Sequence, residues 1–359
     1  MRMLKNRKTP DRLCKKALIK GIRSTESVEF HRFVIGLTAL LNPPWDFILI
    51  VHKVWTERPS SGTDMGLSFD IRIVMGAQML NWAAIEPKVL EFRAQFDCSR
   101  PFRNCVIDDF LLPEVALKVE AGFSTALQHK HHGTQKSHRD VLLKTGTPNL
   151  KLMTADQIAV FDEIHSDRFI RFLEGATGID PVFADPELRG GGLHSSWRGG
   201  YLNVHTDFNF HPSNDTHRRL NLIIYVNEVW REEWGGALEL WNADVSKCEA
   251  RYVPKFNRAV LFETSEISFH GHPIPLNCPE GVTRKSIAVY YYSHWPEGLE
   301  RRAKTNYVLT PDQRSGLRNE VLRAISEGAT NFEQASAMIP RWQPAHVKRM
   351  FAEVARVGS

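Results

Sequence analysis

The clearest hydrophobic pattern in the chain is a set of short apolar runs between residues 201 and 293. They are rich in β-branched and aromatic residues and are separated by polar turns, which is typical of strands. The runs are YLNVHTDF, RLNLIIYVN, GALELW, RAVLFET and KSIAVYYYS. The preceding segment, RGGGLHSSWRGG, is interpreted as a glycine-rich turn region.

Helical spacing of apolar residues dominates on both sides of these strands. Helices are predicted in NWAAIEPKVLEFRAQF, after Pro113, and in LMTADQIAVFDEIHSDRFIRFLEGATG. In the last of these, Thr154 and Gln157 have the spacing of a capping box. Helices followed by an antiparallel set of strands predict an α+β fold, a β-sandwich or jelly roll braced by helices.

The pattern divides the chain into three parts. Residues 1–75 show weak periodicity and are treated as an N-terminal appendage of uncertain order, 76–300 as the main domain, and 301–359 as a helical C-terminal extension. The extension has three short helices in the proportions of a helix-turn-helix, so nucleic-acid binding through it stays open. A helical cap on the main domain is favoured because Val347, Met350, Phe351 and Val354 form an apolar stripe.

Charge and composition narrow the location of the protein. The first 23 residues carry nine Lys or Arg and one acid, which suits a nucleic-acid arm or a presequence, although a disordered, solvated tail is expected. The most apolar segment, residues 33–51, is interrupted by Asn42, two prolines and Asp46, so no membrane span is expected. Five cysteines without a CxxC pair favour a reducing, cytoplasmic location.

Candidate metal ligands lie in the first strand-like run and beyond it. Strand alternation places Tyr201, Asn203, His205 and Asp207 on one face, where His-x-Asp can offer a nitrogen and an oxygen to one metal. Alone this pair is a weak signal, because many strand positions have the same spacing. Further on, SFHGHP offers His270 and His272. Two histidines and one carboxylate would form the facial triad of non-haem Fe(II) oxygenases.

Strand alternation cannot choose between the two later histidines. His270 follows a strand-like run, whereas His272 lies between Gly271 and Pro273, which favour departure from the sheet. We therefore expect His270 to be the ligand. The remaining histidines are expected to face solvent or the substrate side; they are His129, His131, His132, His194, His211 and His217.

An arginine in the last strand-like run predicts an anion site. Arg284 and Ser286 share one strand face, and an inward-facing guanidinium is costly unless it holds an anion. A guanidinium beside a hydroxyl suits a carboxylate. Tyr225 could add a phenol donor.

These elements occur in an order that resembles a known family. His-x-Asp, a strand ending in Tyr225, SFHG and Arg-x-Ser together resemble the 2-oxoglutarate- and Fe(II)-dependent dioxygenases of the prolyl 4-hydroxylase-like group. RRLNLIIYVNEVWREEWGGALELW is similar to the matching stretch of the hypoxia-inducible-factor prolyl hydroxylases and their bacterial relatives. The resemblance covers about residues 105–295 and implies a double-stranded β-helix, or jelly roll, with the metal at its open end.

The resemblance also implies roles for the candidate residues. It implies iron ligands His205, Asp207 and His270, and a distal-carboxylate site for 2-oxoglutarate made by Arg284, with Ser286 and Tyr225 as helpers. Tyr201 and Asn203 would orient cosubstrate or water, or would be satisfied polar packing. The longer segment HPIPLNCPEG after the last ligand is expected as a loop at the site mouth.

The implied reaction is hydroxylation of an unactivated C–H bond. It would use Fe(II), 2-oxoglutarate and O2, release succinate and CO2, and be supported by ascorbate. The substrate stays open between a proline in a peptide or protein, a free amino acid and a small metabolite. The alternative is a cupin-type metal-binding protein without 2-oxoglutarate chemistry, which would have no need of Arg284 and Ser286.

Overall fold

A computed structural model describes residues 47–56, 66–75, 78–127, 136–138 and 140–357. The chain divides into two units, residues 1–78 and residues 79–359. In the first unit, strands β1 (Phe47–Thr56) and β2 (Gly66–Met75) pair antiparallel, although no element was predicted there. The basic run at residues 1–23 and the histidines at 129, 131 and 132 lie outside the described residues.

The second unit begins with a layer of helices. They are α1 (Trp82–Ile85), α2 (Val89–Cys98), α3 (Pro113–Leu127), α4 (Ala155–Ile164) and α5 (Asp167–Thr177). The capping box is confirmed, since Thr154 accepts from the Gln157 backbone and the Gln157 side chain accepts from Thr154. This layer packs on one face of the sheet through the largest apolar cluster of the described residues.

The strands after α2 form one curled antiparallel sheet. They are β3 (Asn104–Ile107), β4 (Lys136–His138), β5 (Val141–Thr147), β6 (Phe183–Ala184), β7 (Gly192–Thr206), β8 (Phe210–His211), β9 (Thr216–Tyr225), β10 (Leu238–Trp241), β11 (Cys248–Tyr252), β12 (Arg258–Glu263), β13 (Phe269–His272), β14 (Arg284–His294) and β15 (Asn306–Tyr307). The principal order is β11-β10-β13-β7-β14-β9-β12-β3. Apart from β10 and β11, neighbouring strands in this order are distant in sequence, which is the jelly-roll arrangement predicted.

Strand β7 belongs to both halves of the curled sheet. Residues 192–196 pair with β14, whereas residues 202–205 pair with β13. The predicted glycine-rich turn is therefore wrong, because this segment is strand. Its glycines permit close backbone approach instead. A side chain at Gly192 would collide with the Thr147 carbonyl, and one at Gly200 would collide with the Trp197 carbonyl and press on those of Leu142 and Leu143.

Alternation along β9 and β14 separates the core from the site. Leu222 and Ile224 of β9 and Ile287 and Val289 of β14 belong to the apolar cluster under the helices. Side chains at the intervening positions project into the other side of the curl, where a cavity lies. One alternating pattern thus places a helix-covered core on one face and leaves a lined cavity on the other.

The C-terminal segment packs as part of the second unit. Helices α6 (Pro311–Ser326), α7 (Phe332–Met338) and α8 (Pro344–Val357) share their own apolar cluster. The apolar stripe predicted on α8 is confirmed, since Val347, Met350 and Val354 are buried and Phe351 packs against them. Strand β15 pairs with β7, so the predicted boundary at residue 300 falls inside one compact unit. Within the described residues, no helix is long and apolar enough to cross a membrane.

A buried asparagine ties the helical layer to the sheet and provides a test of the fold. Asn257 is 2% exposed, donates to the Leu111 carbonyl at 2.7 Å and accepts from the Leu111 N–H at 2.8 Å. Asn257→Ala should lower the free energy of unfolding by about 2–4 kcal/mol, because a buried donor and acceptor lose their partners.

Urea denaturation of the full chain measures this change. Asn257 has a φ of 59°, so alanine also introduces backbone strain. Asn257→Gly removes the strain but not the lost hydrogen bonds and should recover only part of the stability. A change below about 0.5 kcal/mol in both variants would contradict the role assigned to this side chain.

Candidate metal centre

Three predicted residues converge at the end of β7. His205 pairs directly with His270 of β13, and Asp207 follows two residues after His205. The Nε2 of His205 lies 3.6 Å from Asp207 Oδ1, and the Nε2 of His270 lies 3.4 Å from Asp207 Oδ2. Within the part of the chain that the structure describes, these three form the one group of His, Cys, Asp or Glu residues able to hold a metal.

The hydrogen bonds of both imidazoles fix their ligand atoms. The Nδ1 of His205 lies 2.8 Å from the Asn203 carbonyl, and the Nδ1 of His270 lies 2.9 Å from the Ser268 carbonyl. Because a carbonyl oxygen only accepts, each Nδ1 carries the proton and each Nε2 presents a lone pair to the site. Two such nitrogens and a carboxylate suit Fe(II) in a facial triad.

Asp207 is held by two donors from β9. Arg218 Nη2 donates to its Oδ2 at 2.9 Å, and Asn221 Nδ2 donates to the same oxygen at 2.8 Å. The Arg218 guanidinium carbon lies 3.3 Å from the ring centroid of Tyr290. Burial opposes ionisation, but the Arg218 charge and the neighbouring imidazoles hold the pKa of Asp207 well below its usual range. The ligand is therefore a carboxylate with a fixed orientation.

Sequence reasoning assigned no role to Arg218. Asn221 pairs with Tyr290 and Leu220 with Tyr291, but Tyr292 pairs with Arg218. This bulge skips Arg219 and turns Arg218 to the cavity side. Simple alternation would place Arg218 on the opposite face from Asn221, so the pattern gave no signal for it.

A cavity of about 270 Å³ extends from the triad to Arg284. Arg284 is 5% exposed, donates through Nε to the Gly236 carbonyl at 2.7 Å and through Nη2 to the Tyr225 hydroxyl at 3.1 Å. Among the described residues it has no ion-pair partner, and burial lowers its pKa. Ser286, which pairs with Tyr225, also lines the cavity. A buried guanidinium without an ion-pair partner at the end of a cavity has the chemistry that suits a carboxylate.

The structure corrects the positions expected for Tyr201 and Asn203. A bulge in β7 lies between the pair His270–His205 and the pair His272–Leu202. Leu202 therefore lines the cavity, and Tyr201 and Asn203 do not. Asn203 donates to Asp140 at 3.1 Å and accepts from Gln313 at 2.7 Å, which is polar packing against the C-terminal segment.

The histidines outside the triad lie in different surroundings, some in the cavity and others away from it. The expectation that His272 leaves the sheet is wrong: it lies in β13, is 4% exposed and lines the cavity. Burial, with the positive charges of Arg284 and Lys144, lowers its pKa well below the usual range. His194 lines the cavity and His217 is half-buried. His211 is 1% exposed, with Nε2 at 3.4 Å from Asp185, so the solvent-facing expectation is wrong for it.

Two further segments differ from expectation. Of the predicted mouth loop, residues 272–281, only His272 lines the cavity. Leu276 instead exchanges backbone hydrogen bonds with Gly199 and Gly200 at the corner of β7. Tyr307 from β15 does line it, with its ring 5.3 Å from the His205 ring. The segment predicted as a separate extension thus supplies part of the wall beside the metal ligands.

The fold is a jelly roll, and its cavity has a candidate metal centre at one end and a candidate anion site, Arg284, at the other. Residues 192–292 match the model of the 2OG-Fe(II) oxygenase superfamily. The matched segment contains the three candidate ligands, Arg284 and Ser286. The resemblance found in the sequence is therefore confirmed over these residues.

Several named proteins are similar to this chain. Prolyl 3-hydroxylase OGFOD1 of Mus musculus is 24% identical over 196 residues, which are 54% of this chain and 33% of that protein; the chain thus spans about a third of its curated relative. The prolyl hydroxylase of Trichoplax adhaerens, solved with a hypoxia-inducible-factor peptide, is 16% identical to this chain, with a TM-score of 0.43. The match covers 59% of this chain and 93% of the Trichoplax chain. A prolyl 4-hydroxylase of Phytophthora capsici is 17% identical, covers 79% and 92%, and has a TM-score of 0.47.

The choice between the two histidines of β13 can be tested by metal binding. His270→Ala should abolish binding of Mn(II), used as an air-stable substitute for Fe(II), because it removes one of three ligands. His272→Ala should retain binding, since His272 lies outside the converging group. Isothermal titration calorimetry measures both, and the opposite pattern would transfer the ligand role to His272.

The support of Asp207 by Arg218 gives a second test. Arg218→Met should weaken Mn(II) binding by roughly 10- to 100-fold, the usual effect of removing a group that orients a metal ligand. Arg219→Met is the matched control, because Arg219 pairs with Glu263 and not with the site. Equal Mn(II) affinity in both variants would contradict the orienting role.

Proposed function

We propose that this chain is a non-haem Fe(II)- and 2-oxoglutarate-dependent dioxygenase that hydroxylates an unactivated C–H bond. The observation that carries the proposal is the buried Arg284 at one end of a cavity whose other end holds His205, Asp207 and His270. A dicarboxylate with a keto acid at one end matches a site with a metal at one end and a guanidinium at the other. A cupin-type metal protein that does not bind 2-oxoglutarate would not need a buried arginine at the other end of the cavity.

Separate residues of the chain would bind the metal, hold the cosubstrate and orient the metal ligands in such a reaction. His205, Asp207 and His270 would hold Fe(II), which couples decarboxylation of 2-oxoglutarate to succinate and CO2 with hydroxylation by O2. Three ligands on one side leave positions open for cosubstrate and O2. Arg284, with Tyr225 and Ser286, would hold the distal carboxylate and so orient the keto acid. Arg218 and Asn221 keep the Asp207 oxygens in place.

A prolyl residue in a peptide or protein is the proposed substrate, and ascorbate the proposed supporting reductant. The curated relative is named a prolyl 3-hydroxylase. The cavity wall beside the triad includes Phe208, Tyr290 and Tyr307, which suit an uncharged ring. A free amino acid or small metabolite that gives stronger coupled turnover would overturn this assignment.

We also propose how the chain is organised, with residues 76–300 as the oxygenase domain, 301–359 as a helical cap that completes its wall, and 1–75 as an N-terminal appendage. In the cap, Arg314 pairs with Glu353 and the apolar face of α8 is buried, which favours a cap over a nucleic-acid module. Retention of the full chain on DNA that falls steeply with salt would reverse that choice. Four described cysteines are free, which supports a reducing, cytoplasmic location.

An anaerobic titration with Fe(II) and 2-oxoglutarate tests the reaction class. The native protein should develop the weak visible charge-transfer band of the chelate. Arg284→Met should leave metal binding nearly intact but weaken 2-oxoglutarate binding by roughly 10- to 150-fold, because a charge-assisted pair is worth about 1.5–3 kcal/mol.

Turnover provides the companion measurement. With Fe(II), ascorbate and 2-oxoglutarate, succinate should form slowly and then faster when a proline-containing peptide is added. Absence of the band with folded, metal-loaded protein would sink the proposal. Loss of metal binding in Arg284→Met with unchanged 2-oxoglutarate affinity would show that Arg284 is not the carboxylate site.

A further inference from the structure

His272 is a buried side chain whose ring nitrogens lack hydrogen-bond partners among the described residues. It is 4% exposed, and neither Nδ1 nor Nε2 has a hydrogen-bond partner within the described part of the chain. Buried polar atoms are nearly always satisfied, because leaving one unpaired costs about 1–3 kcal/mol. Since His272 lines the cavity, its missing partner is expected among the groups that a ligand brings there.

The position of His272 on its strand limits which ligand group it can reach. His270 and His272 lie two residues apart in β13 and line the same cavity, about 7 Å apart along the strand. His272 is not part of the converging triad. It pairs with Leu202 rather than with His205, so it lies beyond the metal ligands, on the side of the cavity that leads to Arg284.

The charges around His272 identify the kind of group that fits. The positive charges of Arg284 and Lys144 act on His272 and help to lower its pKa. Both also line the cavity. An imidazole retains at least one N–H in its neutral and charged forms, so it can always donate one hydrogen bond. A donor that shares a cavity with two cations and has no acceptor among the described residues fits an anionic oxygen.

We propose that His272 donates a hydrogen bond to the distal carboxylate of 2-oxoglutarate, beside Arg284. This inference rests on the proposed function and deepens it. Arg284 directs Nε to the Gly236 carbonyl and one Nη to the Tyr225 hydroxyl, so only part of its fork is free for the carboxylate. His272 supplies a further donor for the remaining lone pairs.

Calorimetric titration of 2-oxoglutarate into Mn(II)-loaded protein without O2 tests the contact without turnover. His272→Leu should weaken 2-oxoglutarate binding about tenfold, which corresponds to about 1.4 kcal/mol, and should leave Mn(II) affinity unchanged. His272→Gln retains a donor and should recover most of the affinity. The ligand-free His272→Leu protein should melt no lower than the native protein, because it buries no unpaired polar atom.

Pyruvate distinguishes the two ends of the cosubstrate, because it is a keto acid without the distal carboxylate. Its affinity should be the same in the native protein and His272→Leu. An equal loss for both ligands would place His272 at the keto-acid end and overturn the assignment. If the native protein, His272→Leu and His272→Gln all bind 2-oxoglutarate equally well, the inference about His272 fails but the proposed function does not. If the native protein does not bind 2-oxoglutarate, the proposed function itself fails.

Discussion

Strand β7 is shared by two halves of a curled sheet, and the geometry of the cavity depends on that sharing. Its first half pairs with the strand that carries Arg284, and its second half pairs with the strand that carries His270. The distance between Arg284 and the three candidate metal ligands is thus set by backbone hydrogen bonds of one strand. Glycines at the corner let the strand turn without pushing its neighbours away.

Electrostatics in the cavity follow from which charges are paired. Asp207 is buried beside the imidazoles of His205 and His270, and Arg218 compensates its charge through a direct hydrogen bond. Arg284 at the other end has no such compensation among the described residues. The protein therefore neutralises the buried charge of Asp207 with its own side chains and leaves the buried charge of Arg284 available to a ligand.

Much of this arrangement was predictable because strand alternation is a strong local signal. The five predicted strands occur as β7, β9, β10, β12 and β14, and the helix caps at Thr154 and Thr310 follow local chemistry. Prediction failed where the register shifts. Bulges in β7 and β9 turned Leu202 and Arg218 toward the cavity and Asn203 away from it. A bulge depends on the partner strand, so the sequence of one strand does not reveal it. The contribution of Tyr307 was equally invisible, since pairing across a hundred residues leaves no local pattern.

The pairing of β15 with β7 has a consequence for the order in which the site is built. All three metal ligands and Arg284 precede residue 295, but Tyr307 and the helices that hold β15 follow it. During synthesis the triad is therefore translated before the wall beside it. Until β15 docks, the edge of β7 at His205 and Thr206 has no strand to pair with on that side. A nascent or truncated chain without β15 would contain the candidate metal ligands but lack the wall that Tyr307 supplies beside them.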